Sequence, residues 1–253
     1  MDIKLITATH KPYRMPEDKM YVPVQAGAAG KDSIGYLRDD TGDNIIGKNK
    51  HYCELTALYW AWKNLDADYT GLVHYRRHFT AKGSKGDKFD RIITKPQLEQ
   101  VLSRTDVIVP IPRNYVIETN YSQYAHAHHP EDLDTTRAIL AEKYPEYIAA
   151  YDKSMKSTVG HRFNMFIMKQ DKFNAYCAWL FDILFELESR LDISGYSDYD
   201  ARVFGFVSER LLDVWLDTNG YSYVEQPYIF MESQNWITKG FKFIKRKFIA
   251  KES

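Results

Sequence analysis

The feature of this sequence that most constrains its fold is an alternation of short apolar runs with longer stretches of helical periodicity. Four runs of strand length lie at Ile3 to Ala8, Tyr69 to Tyr75, Asp106 to Pro110 and Phe163 to Met168. Amphipathic stripes separate them and continue after the last one. Strands that alternate with helices are typical of a mixed α/β sheet whose helices cover its faces.

The predicted helices are marked by start and stop signals as well as by periodicity. Asn49 is placed to cap the first helix, Thr94 and Pro96 begin a short second one, and Asn219-Gly220 provides a left-handed stop. Residues 13–48 lack periodicity, so short strands at most are expected there. A last short strand is predicted over Tyr221 to Gln226. The helices are predicted over residues 49–64, 94–102, 132–143, 146–155, 171–191 and 200–219.

Composition excludes several classes of protein. The 34 basic and 34 acidic side chains balance, so no global field attracts nucleic acid and any basic site must be local. Cys53 and Cys177 lie in apolar helical patterns and are predicted to be free core thiols, which fits a reducing cytoplasm. The N-terminus lacks the features of a signal peptide, and no apolar run reaches the length of a membrane-spanning helix.

Cationic side chains follow the second predicted strand directly. His74, Tyr75, Arg76 and Arg77 stand where that strand leaves the core. The guanidinium fork matches a phosphate bidentately, and the carboxyl ends of strands line the crevice in which open α/β sheets hold ligands. The sequence therefore predicts a phosphate site here. The alternative, two arginines paired with nearby carboxylates, stays open at this stage.

Two further polar groups interrupt apolar stretches. Asn164 lies two residues after Arg162 and between apolar neighbours. Its amide can bind a sugar hydroxyl, or it can satisfy a backbone group at the edge of the sheet. In the last predicted helix, Arg202 and Glu209 lie close to one face, and Asp200 stands at the helix start. A carboxylate in such a position can take the proton of an attacking hydroxyl, or it can form an ordinary intrahelical pair or helix cap.

Two patterns that are typical of metal sites are given a different interpretation. Asp66-Ala67-Asp68 matches an Asp-x-Asp motif but precedes its strand, so these carboxylates are predicted to be solvated turn residues at the wrong edge of the sheet. His126, His128 and His129 have no second ligand pair, so a structural zinc is not predicted. One of these histidines contacting a ligand is the preferred hypothesis.

The last residues are basic and aromatic, although the chain as a whole is neutral. Residues 236–253 combine Trp, Phe and Ile with several Lys and Arg side chains. This composition suits the interface of an anionic membrane. The predicted domains are accordingly a single folded domain over residues 1–235 and this tail, and the alternative is a basic helix packed back on the domain.

Several segments together resemble a family of bacterial glycosyltransferases encoded with capsular, exopolysaccharide and O-antigen genes, some of which are galactofuranosyltransferases. The resemblance extends from the first strand to about Glu232. It rests on segments that recur in this order: Thr41 to Ile45, Lys48-Asn49, Tyr52 to Asn64, Gly71 to Arg77, Phe163 to Met168, and Arg202 with Gly205-Phe206 and Ser208 to Leu211.

The resemblance implies a UDP-sugar donor, a hydroxyl acceptor and a single-domain Rossmann-like fold of the GT-A class. Thr7, Thr9, His10 and Lys11 would then cradle the nucleotide at the end of the first strand. Because His-Tyr-Arg-Arg stands where that fold carries a metal-binding acidic motif, a requirement for Mn²⁺ or Mg²⁺ is doubtful. The resemblance places His74, Tyr75, Arg76, Arg77 and Asn164 with the donor, and assigns lesser substrate contacts to Asp43, Asn44, His128, Arg162 and Arg202.

The function predicted from the sequence is transfer of a hexosyl unit, with galactofuranosyl as the best single guess, and with inversion. Glu209 is the first choice of base and Asp200 the second, while cationic side chains neutralise the departing diphosphate. The expected acceptor is a glycan on a polyprenyl diphosphate, and the enzyme is expected in the cytoplasm at the inner membrane face. Two alternatives are a nucleotide-sugar hydrolase and a non-catalytic glycan-binding component of an assembly complex.

Overall fold

The structure, a computed structural model, describes residues 1–232. Strands and helices alternate through most of these residues, as the apolar pattern predicts. The strands are β1 (Ile3–Thr9), β2 (Tyr21–Gln25), β3 (Leu37–Arg38), β4 (Tyr69–His74), β5 (Arg77–Phe79), β6 (Val107–Pro110), β7 (Arg113–Asn114), β8 (Val159–Gly160), β9 (Phe166–Lys169), β10 (Val224–Gln226) and β11 (Tyr228–Phe230).

The helices cover both faces of the sheet that these strands form. The α-helices are α1 (Asn49–Tyr52), α2 (Leu55–Asn64), α3 (Lys95–Leu102), α4 (Asn120–Ala125), α5 (Pro130–Lys143), α6 (Ile148–Lys156), α7 (Gln170–Arg190) and α8 (Val203–Thr218). Short 3₁₀ helices lie at Ile46–Lys48, Pro145–Tyr147 and Asp200–Arg202.

The main sheet is mostly parallel and confirms the predicted fold class. Its order is β10-β6-β9-β4-β1-β2-β3, with β5 and β11 added beside β4. The strands β1, β2, β3 and β4 are parallel, as are β6 and β10, whereas β9 runs antiparallel between β4 and β6. The carboxyl ends of β1, β4 and β6 and the start of β9 therefore meet at one edge of the sheet.

Each central strand buries side chains on both faces. In β1, Ile3 and Leu5 pack into the core on one face with Leu98 of α3, while Ile6 and Ala8 pack on the other face. The second core is the larger one and receives the apolar sides of α2, α5, α7 and α8. Burial on both faces explains why these strands read as continuous apolar runs.

Gly71 allows the two central strands to approach closely. A side-chain carbon at this position of β4 would lie 2.5 Å from the carbonyl oxygen of Phe166 in β9. A larger residue would push apart the strands whose ends carry the residues described below.

Several predicted elements differ from the structure, including the last strand, which was expected from Tyr221 and begins at Val224. The helix expected over 49–64 is broken at Cys53, whose φ of 54° and ψ of −125° lie outside the helical region. Asn49 is not its cap: its side-chain amide donates to the carbonyl of Cys53 and to the hydroxyl of Thr56. The strand expected from Phe163 begins at Phe166, because Phe163 and Asn164 adopt positive φ.

The predicted tail over residues 236–253, and the domain boundary placed at 235, lie outside the described residues. Among the residues that are described, no helix is long and apolar enough to cross a membrane.

Candidate active site

A large cleft opens at the edge where β1, β4 and β6 end. Its volume is about 760 Å³, within the range of sites that hold small molecules and cofactors. The end of β1, the turn after β4, the break between α1 and α2, and α8 all contribute to its walls. This is the sheet edge at which open α/β proteins bind ligands.

The turn after β4 brings the two predicted arginines to this cleft. His74 pairs with Arg77 across an antiparallel bridge, so Tyr75 and Arg76 form a tight turn between β4 and β5. The Arg76 head is exposed and lies 3.7 Å from the carboxylate of Glu232. Arg77 is half-buried, and its guanidinium carbon lies 4.3 Å from the centre of the Phe163 ring.

The histidines beside these arginines are not cations at neutral pH. Burial is the main cause that lowers the pKa of His74 to about 3, and the neighbouring Arg77 adds to it. The Nε2 atom of His74 donates to the carbonyl of Phe163 at 2.9 Å. Burial, followed by the charge of Arg76, also lowers the pKa of His10. His74 therefore lines the cleft as a neutral ring, and the expected positive charge comes from the arginines.

The charge balance of the cleft differs from that of the whole chain. Its walls carry two carboxylates, Glu54 and Glu209, against six Lys or Arg side chains: Lys50, Arg76, Arg77, Arg113, Arg202 and Arg210. Three of the six, Arg77, Arg113 and Arg202, have no carboxylate oxygen within 4.0 Å among residues 1–232. Unpaired guanidinium groups grouped in a concave site attract and bind anions.

Asn164, which was predicted to bind a sugar hydroxyl, instead holds Glu54 in place. The side-chain amide of Asn164 donates to Glu54 Oε1 at 2.8 Å, and its oxygen accepts from the hydroxyl of Ser208 at 2.8 Å. The positive φ of Asn164 turns the chain just before β9 and buries this amide. Asn164 is thus a positioning residue for Glu54, which faces His74 Nε2 at 3.8 Å.

Glu209 and Asp200 occupy different places. Glu209 lines the cleft from α8, and its Oε2 lies 3.4 Å from Nη1 of Arg210. Asp200 stands behind the wall, where its carboxylate contacts His128 Nδ1 at 3.1 Å and accepts from the Ser197 hydroxyl at 2.6 Å. His128 does line the cleft, stacked on Phe206 with ring centres 4.3 Å apart. Asp200 can therefore act on a bound ligand only through His128.

Comparison with known proteins gives the chain its family. The family model of DUF4422, a domain of unknown function, matches residues 4–220. The chain belongs to the DUF4422 family.

A solved structure adds a likeness to an enzyme. The apo structure of WbbM, a bifunctional glycosyltransferase, superposes with a TM-score of 0.86 and 30% sequence identity over 92% of this DUF4422 chain. The chain covers 46% of the WbbM chain, so it spans less than half of that protein. The predicted resemblance is confirmed at the level of a glycosyltransferase fold. Comparison with curated proteins gives no match.

The cleft of this DUF4422 protein contains many of the predicted site residues. Those that line it are Thr9, His10, His74, Tyr75, Arg76, Arg77, His128, Arg202 and Glu209. Those outside its walls are Thr7, Lys11, Asp43, Asn44, Arg162, Asn164 and Asp200.

Each residue outside the walls has a local reason for its place. The Thr7 hydroxyl is fully buried against its own strand, and the Lys11 ammonium lies 3.4 Å from Glu232 beyond the rim. Asp43 accepts a weak bond from Tyr59, and Asn44 caps the short turn that follows it. Arg162 is buried behind the wall.

The cleft also contains residues that the sequence analysis missed. Glu54 lies inside the segment that carries the family resemblance, yet it was given no chemical part. Arg113 comes just after β6, and the rule that strand ends line ligand sites could have found it. Arg210 follows Glu209 directly on α8, but periodicity alone places it on a different face of the helix.

The chemistry of these side chains does not suit a divalent cation. Mg²⁺ and Mn²⁺ prefer carboxylate oxygens, whereas the turn after β4 presents guanidinium groups. Glu54 is hydrogen-bonded to Asn164 and Glu209 is paired with Arg210. No group of three His, Cys, Asp or Glu side chains comes together within residues 1–232. No step of the reaction proposed below uses a metal.

Proposed function

We propose that this chain is a glycosyltransferase that uses a UDP-sugar donor and neutralises the departing diphosphate with arginines. The transferred unit is a hexosyl group, with galactofuranosyl as the best single guess, and the acceptor is a hydroxyl of a growing glycan. The likeness to WbbM over nearly the whole described chain supports glycosyl transfer as the activity.

The observation that carries the proposal is the group of unpaired guanidiniums in the cleft. Arg77 and Arg202, which have no carboxylate partner among residues 1–232, lie at the ends of β1 and β4, where the fold holds ligands. Arg76 stands beside them, with Glu232 at 3.7 Å. A diphosphate gains negative charge as the sugar leaves, and fixed cations in a partly desolvated cleft stabilise that charge. Arg202 keeps its head free for such a contact, since its Nε donates only weakly, to the thiol sulfur of Cys53 at 3.1 Å.

The proposed reaction needs one base and one leaving group. Glu209 takes the proton of the acceptor hydroxyl, whose oxygen then attacks the anomeric carbon. The bond between that carbon and the β-phosphate oxygen breaks, and its electron pair stays on UDP, next to Arg77. Attack from the face opposite to the leaving group inverts the anomeric configuration.

His128 is the second candidate for the base. The Asp200 carboxylate orients its Nδ1, which leaves Nε2 as the acceptor toward the cleft. Burial lowers the pKa of His128, so the ring is a neutral base at pH 7. This arrangement gives the predicted catalytic residue Asp200 a positioning role instead of a direct one.

Glu209→Gln and His128→Asn distinguish the two bases. Loss of the true base lowers kcat by about 10²-fold or more, while UDP affinity stays within a few-fold. Calorimetry with UDP and initial rates across pH 5.5 to 9 measure both quantities. Full turnover in the Glu209→Gln protein would remove Glu209 from the mechanism.

Incubation with a panel of UDP-sugars and a glycan acceptor, with and without EDTA, tests the function itself. Transfer that survives EDTA is the expected result. Sugar released at the same rate without acceptor would identify a hydrolase. UDP-sugar binding without either product would identify a non-catalytic binding protein.

The acceptor and location are part of the same proposal. A glycan on a polyprenyl diphosphate at the inner membrane face would bring the substrate to a basic and aromatic tail. Binding to vesicles with 30% anionic lipid, compared between the full chain and a chain lacking residues 236–253, measures this. Equal binding by both chains would contradict the role of the tail.

A further inference from the structure

A second group of arginines lies near the end of β6. The guanidinium carbons of Arg113 and Arg162 lie 5.3 Å and 5.9 Å from the centre of the Tyr115 ring. Arg210 stands beside them on α8, close enough to Arg162 for their charges to interact. Arg113 and Arg210 line the cleft, and Arg162 supports the wall from behind.

The backbone is shaped to bring these side chains together. The two-stranded sheet of β7 and β8 pairs Arg113 with Gly160. A side-chain carbon at Gly160 would lie 2.5 Å from Nη2 of Arg162, so glycine makes room for that guanidinium. Nη1 of Arg162 donates to the carbonyl of Glu209, which fastens the group to the helix that carries the proposed base.

The group has more donors than acceptors. Nε and Nη2 of Arg162 and Nε of Arg210 are buried without a hydrogen-bond partner among residues 1–232. Two carboxylates serve the three arginines. Asp213 lies 3.7 Å from Nη1 of Arg162 but also binds the His161 ring and backbone, and Glu209 lies 3.4 Å from Nη1 of Arg210. Buried donors without partners are costly. Arg113 and Arg210 line the cleft beside them, where a bound anion would offset the excess positive charge.

This group stands at the end of a different strand from the β4 turn. Strands β1, β4, β9 and β6 are neighbours in that order. With neighbouring strands about 4.8 Å apart, the end of β6 lies roughly 10 Å from that of β4 and roughly 14 Å from that of β1. Glu209 lies between the two groups, because it contacts Arg210 on one side and influences Arg77 on the other.

We propose that Arg113 and Arg210, supported by Arg162, form a second anion subsite that binds a phosphate group of the acceptor. The proposal rests on the function proposed above and assigns the acceptor a charge. Two sources share this chemistry, a lipid diphosphate next to the first sugar and a phosphate on the glycan itself. Glu209 would then meet a hydroxyl held between two bound phosphate groups.

Titration of the UDP-saturated protein with inorganic diphosphate tests the subsite directly. One further site is expected, and Arg113→Gln weakens it by about 10-fold or more, which is the usual loss for a charged hydrogen bond. Arg113 is exposed, so its substitution spares the core. Arg76→Gln is the matched control, expected to weaken UDP and to leave the second site unchanged. Absence of a second site, or equal binding by the Arg113→Gln protein, would overturn the proposal.

The second subsite can be tested even if the proposed function is wrong. A protein that does not bind UDP is titrated with diphosphate alone, and two sites are still expected, of which Arg113→Gln weakens one and Arg76→Gln the other. Arg210→Lys provides a second variant that keeps the charge but loses the guanidinium fork. Binding of a single diphosphate by the wild-type protein would rule out the second subsite, whether or not UDP binds.

Acceptors distinguish the two sources. KM is compared for a neutral glycoside, the same glycoside with a phosphate on the sugar, and the same glycoside on a lipid diphosphate. Arg113→Gln is expected to raise KM about 10-fold for the phosphate-bearing acceptor that the subsite recognises, with little change in kcat or in the KM of the neutral glycoside. Equal KM values for all three acceptors would contradict the proposal.

Discussion

The two edges of the central sheet both carry clusters of charged residues, and the clusters are built differently. At the edge where the parallel strands begin, Asp68 accepts from the backbone of Asp2 at 2.7 Å. The ammonium of Lys172 lies 2.8 Å from the carboxylate of Asp106 at the same edge. At the cleft edge, Arg77 and Arg113 have no such carboxylate within the described part of the chain.

The difference separates structural charges from functional ones. A pair of opposite charges satisfies itself and needs no ligand. Cations that outnumber the neighbouring acids repel each other, and the fold bears that cost where a bound anion can offset it. The comparison also confirms that Asp66-Ala67-Asp68 lies at the wrong edge for a donor site, because this segment precedes β4 and meets the start of β1.

Arg77→Gln is expected to produce the largest effect. A small effect would contradict the idea that unpaired arginines at the cleft edge are functional. The substitution removes a half-buried cation from the centre of the cleft, where it can face the leaving diphosphate. We expect kcat/KM to fall by about 10²-fold to 10³-fold, as for other preorganised donors to a developing charge. Steady-state rates measure it, and circular dichroism checks that the fold is kept.

The matched control for Arg77 is Arg137→Gln. Arg137 forms a bidentate pair with Asp152 on α6, away from the cleft. Its substitution should leave transfer unchanged. An equal fall in kcat/KM in the two variants would show that the absence of a carboxylate partner does not distinguish functional arginines.

Two buried histidines, His74 in the cleft and His78 in the core, predict a pH effect of intermediate size. Burial lowers the pKa of His74 to about 3 and that of His78 to about 4, whereas an unfolded chain protonates histidine below about 6.5. The unfolded state therefore binds more protons below pH 6.5, so the free energy of unfolding is fully present above that pH and falls as the pH drops. The expected loss is about 2 kcal/mol per histidine between pH 6.5 and 5.0.

Urea unfolding at a series of pH values measures this dependence. His78→Phe should remove about half of the slope that the two histidines contribute. An unchanged slope in that variant would show that His78 is protonated in the folded state.

Lys172→Met is expected to produce the smallest effect. It tests whether the paired charges at the edge where the parallel strands begin are only structural. Removing one member of this partly exposed pair should lower the free energy of unfolding by about 1 kcal/mol. Transfer should stay at the wild-type rate. A loss of activity in this variant would contradict the assignment of that edge as purely structural.

The sequence predicted elements best where one physical signal dominates. The buried strands β4 and β6 appear within a residue or two of their predicted bounds, and α3 begins at Lys95, one residue after the predicted start, with Thr94 at its N-cap. The break at Cys53 was missed, because the apolar stripe continues unchanged on both sides of it. That break places Glu54 in the cleft. The pattern of polar and apolar residues cannot predict the backbone conformation of one residue.

Local sequence determined that this chain forms an α/β sheet, and that arginines follow a strand end, because strand burial and turn position depend on residues close together in the chain. Which charges lack partners depends instead on how distant segments pack in the folded chain. Arg113 and Arg210 are 97 positions apart in sequence, and only the packing of β7 and α8 brings them to one cleft. Long-range electrostatic pairing is a property of that packing, so the group beside Tyr115 became visible only in the folded chain.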